Sequence, residues 1–349
     1  FLLHQQKFPP NVVKTIGVDT RYILDRMGNP HEDIAFRKKG LVVGHVQSGK
    51  TANYISLINY AADYGYKLII LIAGVHNNLR SQTQVRLNEG FIGYDNLKQE
   101  KVGVGCLTPY QDSKRPFSGT NAENDFSAKA AGIIPPNLES HNTPVVLVIK
   151  KNGATLRNLL KWLSQHIDKD KQALLNFPAL IIDDEADNAS INTKKSTNDS
   201  PTAINRLIRD VINQFNKVSY IGFTATPFAN IFIDPEVAHE EFGEDLFPDD
   251  FIVSLNAPSN YCGPDQFFTL DSDGESEKCE IIDDYDQTIP VPIPTEFVIE
   301  DIPPSLKRAI RHFLLSTTIK ELRGLGKHSS MLINISHKTV YQNQIYELV

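Results

Sequence analysis

The sequence predicts an α/β fold built on a doubly wound parallel sheet, and three observations carry that expectation. Short, nearly continuous apolar runs recur at Gly40 to Gly44, Lys67 to Gly74, Val102 to Leu107, Pro144 to Ile149, Ala179 to Asp183 and Val218 to Phe223. Segments of helical length and periodicity separate them, at Lys50 to Tyr64, Leu79 to Leu87, Ala154 to His166 and Pro201 to Phe215. Strands that do not alternate apolar with polar residues are buried on both faces, as crossover helices on the two sides of a parallel sheet require. The third observation is size: 349 residues with 41% apolar content can bury a large core.

Taken in order, residues 1–35 read as an N-terminal helical segment and residues 36–235 as the sheet lobe. Beyond Asp234 the composition turns acidic and proline-rich, with Ile289-Pro290-Val291-Pro292-Ile293-Pro294 at its centre, so residues 236–304 read as an insertion or extended connector. Alternate prolines cannot donate ladder hydrogen bonds. Ser305 to Arg323 has helical periodicity, and Ser330 to Ser336 followed by Thr339 to Val349 reads as a strand entering a helix. Residues 305–349 are therefore expected to be a linking helix and the beginning of a second α/β lobe, within a longer protein.

Composition narrows the classes of function. No apolar run approaches the roughly 18–20 residues of a membrane helix, so no membrane association is expected. Cys106, Cys262 and Cys279 form no CxxC pair, which argues against a zinc site or disulfide framework and for a reducing, cytoplasmic setting. The histidines show no HExxH pattern. A formal charge of −7 excludes nucleic-acid binding by bulk positive charge and leaves room for a local basic groove.

The chemistry is concentrated in three strings. Gly44-His45-Val46-Gln47-Ser48-Gly49-Lys50-Thr51 fits GxxxxGK(S/T) between an apolar strand and a helix. Glycines let backbone N–H groups curl around phosphates, Lys50 meets the β/γ charge, and the Thr51 hydroxyl ligates magnesium. The phosphate-binding set is Gly44, Gln47, Ser48, Gly49, Lys50 and Thr51, and the implied ligands are ATP and Mg²⁺. Ala179-Leu180-Ile181-Ile182 then delivers Asp183-Asp184-Glu185-Ala186-Asp187 to the carboxyl edge of the sheet. In the D-E-A-D register Asp184 takes the metal and Glu185 polarises the attacking water, with Asp183 standing as an alternative metal aspartate. Tyr220 to Pro227 ends in Thr224-Ala225-Thr226-Pro227, whose hydroxyls can bond the acidic box. Asp187, Thr224 and Thr226 form the expected coupling set. Adenine recognition is expected upstream of Gly40, with Arg37 as the candidate.

Together these strings resemble superfamily 2 helicases and translocases. More narrowly, Gly44 to Tyr54, Ala73 to Thr83, Asp183 to Thr193, Tyr220 to Pro235, Asp245 to Ser254 and Ser330 to Ser336 resemble the Z-one domain family from about Leu24 onward. The resemblance implies a RecA-like P-loop NTPase lobe one followed by an insertion and the start of lobe two. It also implies an ATP-dependent, DNA-acting motor of a prokaryotic antiphage or restriction-type system, working with a nuclease partner. An ATP-gated switch or scaffold that regulates such a nuclease without translocating is the alternative. A metal-dependent endonuclease is a further one, although no acid followed by a D/E-x-K pair is evident. In motors of this type, loops after the second and fourth strands hold the nucleic acid. Here those loops offer Asn77, Arg80, Ser81 and Gln82, then Lys150, Lys151 and Asn152. His76 and Asn78 lie in the first of these loops as well.

Overall fold

One sheet of seven parallel strands organises the first part of the chain, and its apolar residues point alternately into two helical layers. The computed structural model describes all residues except 1, 3–7, 46–48, 109, 135–137, 139–140, 167–173, 192–202, 234–237, 240–242, 260, 270–277, 295 and 327. Two compact units divide it, Phe1–Tyr261 and Cys262–Val349.

The principal elements of the first unit are α1 (Pro10–Leu24), β1 (Phe36–Val43), α2 (Lys50–Tyr64), β2 (Leu68–Ala73) and α3 (Asn77–Leu87), followed by β3 (Phe117–Ser118), β4 (Val145–Ile149) and α4 (Gly153–Leu163). After these come β5 (Ala179–Asp184), α5 (Ala203–Ile212), β6 (Lys217–Thr224) and β7 (Phe251–Ser254). The sheet order is β7-β1-β6-β5-β2-β4-β3, and every pairing is parallel. In β2, Leu68, Ile70 and Ile72 pack with Leu156, Leu159, Trp162 and Ile208 of α4 and α5. Ile69, Leu71 and Ala73 face the other way, among Ile23 of α1, Tyr54, Leu57 and Ile58 of α2, and Leu87 of α3. This two-sided burial is why β2 reads as an unbroken apolar run, and truncating one of its isoleucines to alanine would cost roughly 2–5 kcal/mol.

Three expected features come out differently. Val102 to Leu107 is not a strand: Gly103–Cys106 forms a 3-10 turn. There Gly103 has φ +51°, and a Cβ on it would collide with the Glu89 carbonyl. Close backbone contact, not sheet pairing, shapes the segment. The sheet also continues past Pro235, because β7 adds to the edge of β1 with Gly40 opposite Phe251. The Asp250 carboxylate fixes this register, accepting from the Lys39 backbone N–H at 2.7 Å and from Lys38 Nζ at 2.7 Å. Finally, Ser330 to Ser336 joins no ladder among the described residues.

The second unit holds two longer helices, α6 (Pro304–Leu322) and α7 (Thr339–Leu348). Ile289, Ile299, Ile302, Tyr341 and Ile345 form its small core. The Tyr341 hydroxyl donates to the Pro294 carbonyl at 2.8 Å, so the proline run is docked within this unit. Among the described residues, no helix is long and apolar enough to cross a membrane.

Candidate functional site

Three strand ends, those of β1, β5 and β6, supply the core of the site, because in a parallel sheet the loops after the strands emerge on one edge. β1 leads into the phosphate loop, whose residues 46–48 lie outside the described set, so Gln47 and Ser48 receive no placement. Gly49 has φ +94°, a left-handed conformation that glycine adopts without strain, and α2 begins directly after it. The Gly44 backbone N–H donates to the Thr224 carbonyl at 3.0 Å, joining the phosphate loop to the end of β6. Lys50 Nζ donates to the His45 carbonyl at 3.1 Å. Burial pushes its ammonium below the usual range, and the Asp184, Asp187 and Glu185 carboxylates oppose that shift.

The acidic turn follows β5, and its neighbouring aspartates have opposite environments. Asp183 is fully buried. It meets Lys151 Nζ at 2.8 Å and accepts from the Ser190 hydroxyl at 2.6 Å and the Tyr220 hydroxyl at 2.7 Å. Burial, with the Asp183 charge beside it, drives the Tyr220 phenol well above its usual range. Asp184 instead lines the open cleft. Burial raises its pKa, as do the charges of Glu185 and Asp183, while a bond from the Glu185 N–H and the Lys151 charge work against the rise. Glu185 is exposed and takes φ +55°, which is uncommon for a residue with a side chain. Asp187 accepts from the Thr224 hydroxyl at 2.6 Å and from the Thr226 hydroxyl at 2.6 Å.

Gly49, Lys50, Thr51, Asp184, Glu185, Asp187, Thr224 and Thr226 thus line one cleft of about 1060 Å³. Some of its lining was not anticipated. Arg86 of α3 donates to the Thr51 hydroxyl at 3.2 Å, and Glu89 lies one turn further on. Only their helical spacing from Gln82, i+4 and i+7, hinted at them. Leu2 and Phe8 also line the cleft, whereas Arg37 is exposed at the start of β1 and does not.

Residues 4–229 match the family model of the Type III restriction enzyme, res subunit. The chain belongs to that family. The matched span takes in α1 through β6 and hence every strand end that builds the cleft. Residues 305–349 match the Z1 domain, a span that takes in the second unit's two longer helices. No curated protein matches the chain. This res-subunit-type chain is accordingly a helicase-like protein of the restriction type with a Z1 domain.

The residues expected to meet nucleic acid in this helicase-like lobe fall into two groups. Asn77 and Gln82 are exposed, and Ser81 and Lys150 are half-buried. Arg80 and Lys151 are each only 2% exposed. The Arg80 guanidinium donates to the carbonyls of Asn121 at 2.9 Å and Ala122 at 2.7 Å, fastening α3 to the loop after β3. Lys151 is spent on Asp183. Neither can present its charge to a phosphate backbone, which corrects the expectation for both. Asn152 caps α4, its side chain accepting from the Thr155 N–H at 2.8 Å.

Proposed function

We propose that the cleft binds ATP with magnesium and hydrolyses it, powering a DNA-acting helicase- or translocase-like motor of a restriction-type antiphage system that works with a nuclease partner. The observation that supports this best is the joint placement of Lys50, Thr51, Asp184 and Glu185 in one cleft while Asp183 is withdrawn from it. Lys50 and the backbone of Gly44 and Gly49, with Gln47 and Ser48 from the same motif, hold the phosphates. The Thr51 hydroxyl and the Asp184 carboxylate would hold magnesium. That donor set fits a hard cation, and the raised pKa of Asp184 means that a dication beside it relieves unfavourable negative charge. Bound there, magnesium neutralises charge on the phosphates. Glu185 accepts the proton of the attacking water, which its exposed position over the cleft allows. Asp187, tied to Thr224 and Thr226, carries the nucleotide state from the acidic turn to the end of β6. Residues 305–349 open a second lobe in this reading.

Asn77, Ser81, Gln82 and Lys150 are the remaining candidates for contact with the DNA strand. The burial of Arg80 and Lys151 removes two of the three cations from that set. This favours, as a second reading, an ATP-gated switch that regulates a nuclease without moving along DNA. Phosphate release measured with and without single- and double-stranded DNA separates the two. Stimulation by either DNA supports the motor, and turnover indifferent to both supports the switch.

A further inference from the structure

We infer that Lys151 is a positioning residue for ATP hydrolysis, holding the acidic turn so that Glu185 stands over the cleft. The inference rests on the proposed catalytic role of Glu185. Lys151 Nζ donates to the main-chain carbonyls of Asp184 at 3.0 Å, Glu185 at 2.7 Å and Asn188 at 3.0 Å, and it meets Asp183 at 2.8 Å. One ammonium therefore touches three carbonyls of a five-residue turn and the carboxylate just before it. Both charged side chains are fully buried.

A buried ion pair is weak evidence for stability, since hydrophobic replacements often serve as well. Its value here lies in which atoms it gathers. Glu185 sits at φ +55°, and a non-glycine residue stays in that region only when its surroundings over-determine it. The surroundings are the Lys151 bonds on one side, the Ala186 N–H donating to the Phe223 carbonyl at 3.1 Å on the other, and the Asn188 N–H returning to the Glu185 carbonyl at 2.9 Å. The second anchor comes from Tyr220 of β6, which with Ser190, just beyond the acidic turn, completes the shell of Asp183. Lys151 follows β4, two strands from β5 across β2, and its own N–H donates to the Gly74 carbonyl at 2.9 Å after β2. The ends of four neighbouring strands thus converge on the turn that aims one carboxylate. A lysine loose in solvent would show neither the burial nor the set of carbonyl partners.

The test compares kcat and KM for MgATP in the intact protein, in Glu185→Gln, and in the paired variant Lys151→Met with Asp183→Asn, which removes both buried charges together. Lys151→Gln, which keeps one amide donor, decides the matter if the pair does not fold. Thermal melting identifies the folded variants. Positioning predicts a fall in kcat of at least about tenfold with KM within about twofold of the parent, since small misplacements of a catalytic group are costly. It also predicts faster hydrogen exchange at the amides of residues 185–190, a readout that needs no turnover. Parent-like kcat and exchange in a folded variant, with Glu185→Gln inactive, overturns the role of Lys151 alone. A loss seen mainly in KM does the same by marking a merely structural part. Parent-like turnover in Glu185→Gln overturns the catalytic reading beneath it.

Discussion

The loop after β1 and the loop after β4 each bring a lysine to the same acidic turn, with opposite results. Lys50 stands in an open cleft, half-buried, within the field of Asp184, Asp187 and Glu185. Lys151 is sealed beneath the turn and closes on Asp183 and three backbone carbonyls. The same contrast separates Asp183 from Asp184, adjacent residues on one strand whose side chains leave opposite faces. Residue type therefore does not distinguish a ligand-binding charge from a structural one. Strand parity and the neighbouring backbone do.

The comparison breaks most visibly at Lys50. Lys50→Ala should weaken ATP binding by about 100-fold, the equivalent of a lost charge-assisted contact of roughly 3 kcal/mol, and leave the melting temperature near the parent's. A fluorescent ATP analogue measures this, and parent-like affinity would remove Lys50 from the phosphate site. Thr226→Ala should have a smaller effect, about tenfold, on the ratio of DNA-stimulated to basal turnover, because it frees one carboxylate oxygen of Asp187. An unchanged ratio would leave the contact without a part in coupling.

Asp184 sharpens the comparison through stability. Its carboxyl titrates above the ordinary value in the folded protein, chiefly through burial, so the native state holds that proton more tightly than the unfolded chain. The ionised form then costs stability above the raised pKa, and the cost fades as pH falls through the window down to the ordinary value. Asp184→Asn should accordingly raise the melting temperature at neutral pH by about 2 °C, a gain that shrinks on acidification, while magnesium dependence weakens. A lower melting temperature at neutral pH would mean that the carboxylate is favourably held in the native state. The smallest effect is expected at the surface: Gln82→Ala should reduce DNA affinity only about twofold to threefold, with basal turnover intact. Fluorescence anisotropy with a labelled strand reads it, and a tenfold loss would point to a larger role for α3.

Much of this was readable from residues alone. Continuous apolar runs mark β2, β4 and β5 because each is buried on both faces, and the phosphate loop and acidic turn follow strands β1 and β5 as their letters require. What sequence hides is contact between distant segments. Nothing local to Phe251-Ile252-Val253-Ser254 shows that it pairs with β1, a ladder more than 200 residues away in the chain. Val102 to Leu107 has strand composition, yet the close approach of Glu89 and Gly93 to Gly103 and Gly105 imposes a turn. Arg80 and Lys151 look like phosphate contacts until Asn121, Ala122 and Asp183 are known to face them. Phe8 carries no motif and enters the cleft through tertiary structure alone, and Arg86 is hinted at only by its helical spacing from Gln82.

The central claim is that Glu185 activates water in a cleft that binds ATP through other groups, and the Glu185→Gln variant tests it most directly. Phosphate release at saturating MgATP, measured beside analogue binding on the same preparation, should fall by about 100-fold or more while affinity stays within about twofold of the parent. Release at the parent's rate would contradict the account, since another group would then be activating the water.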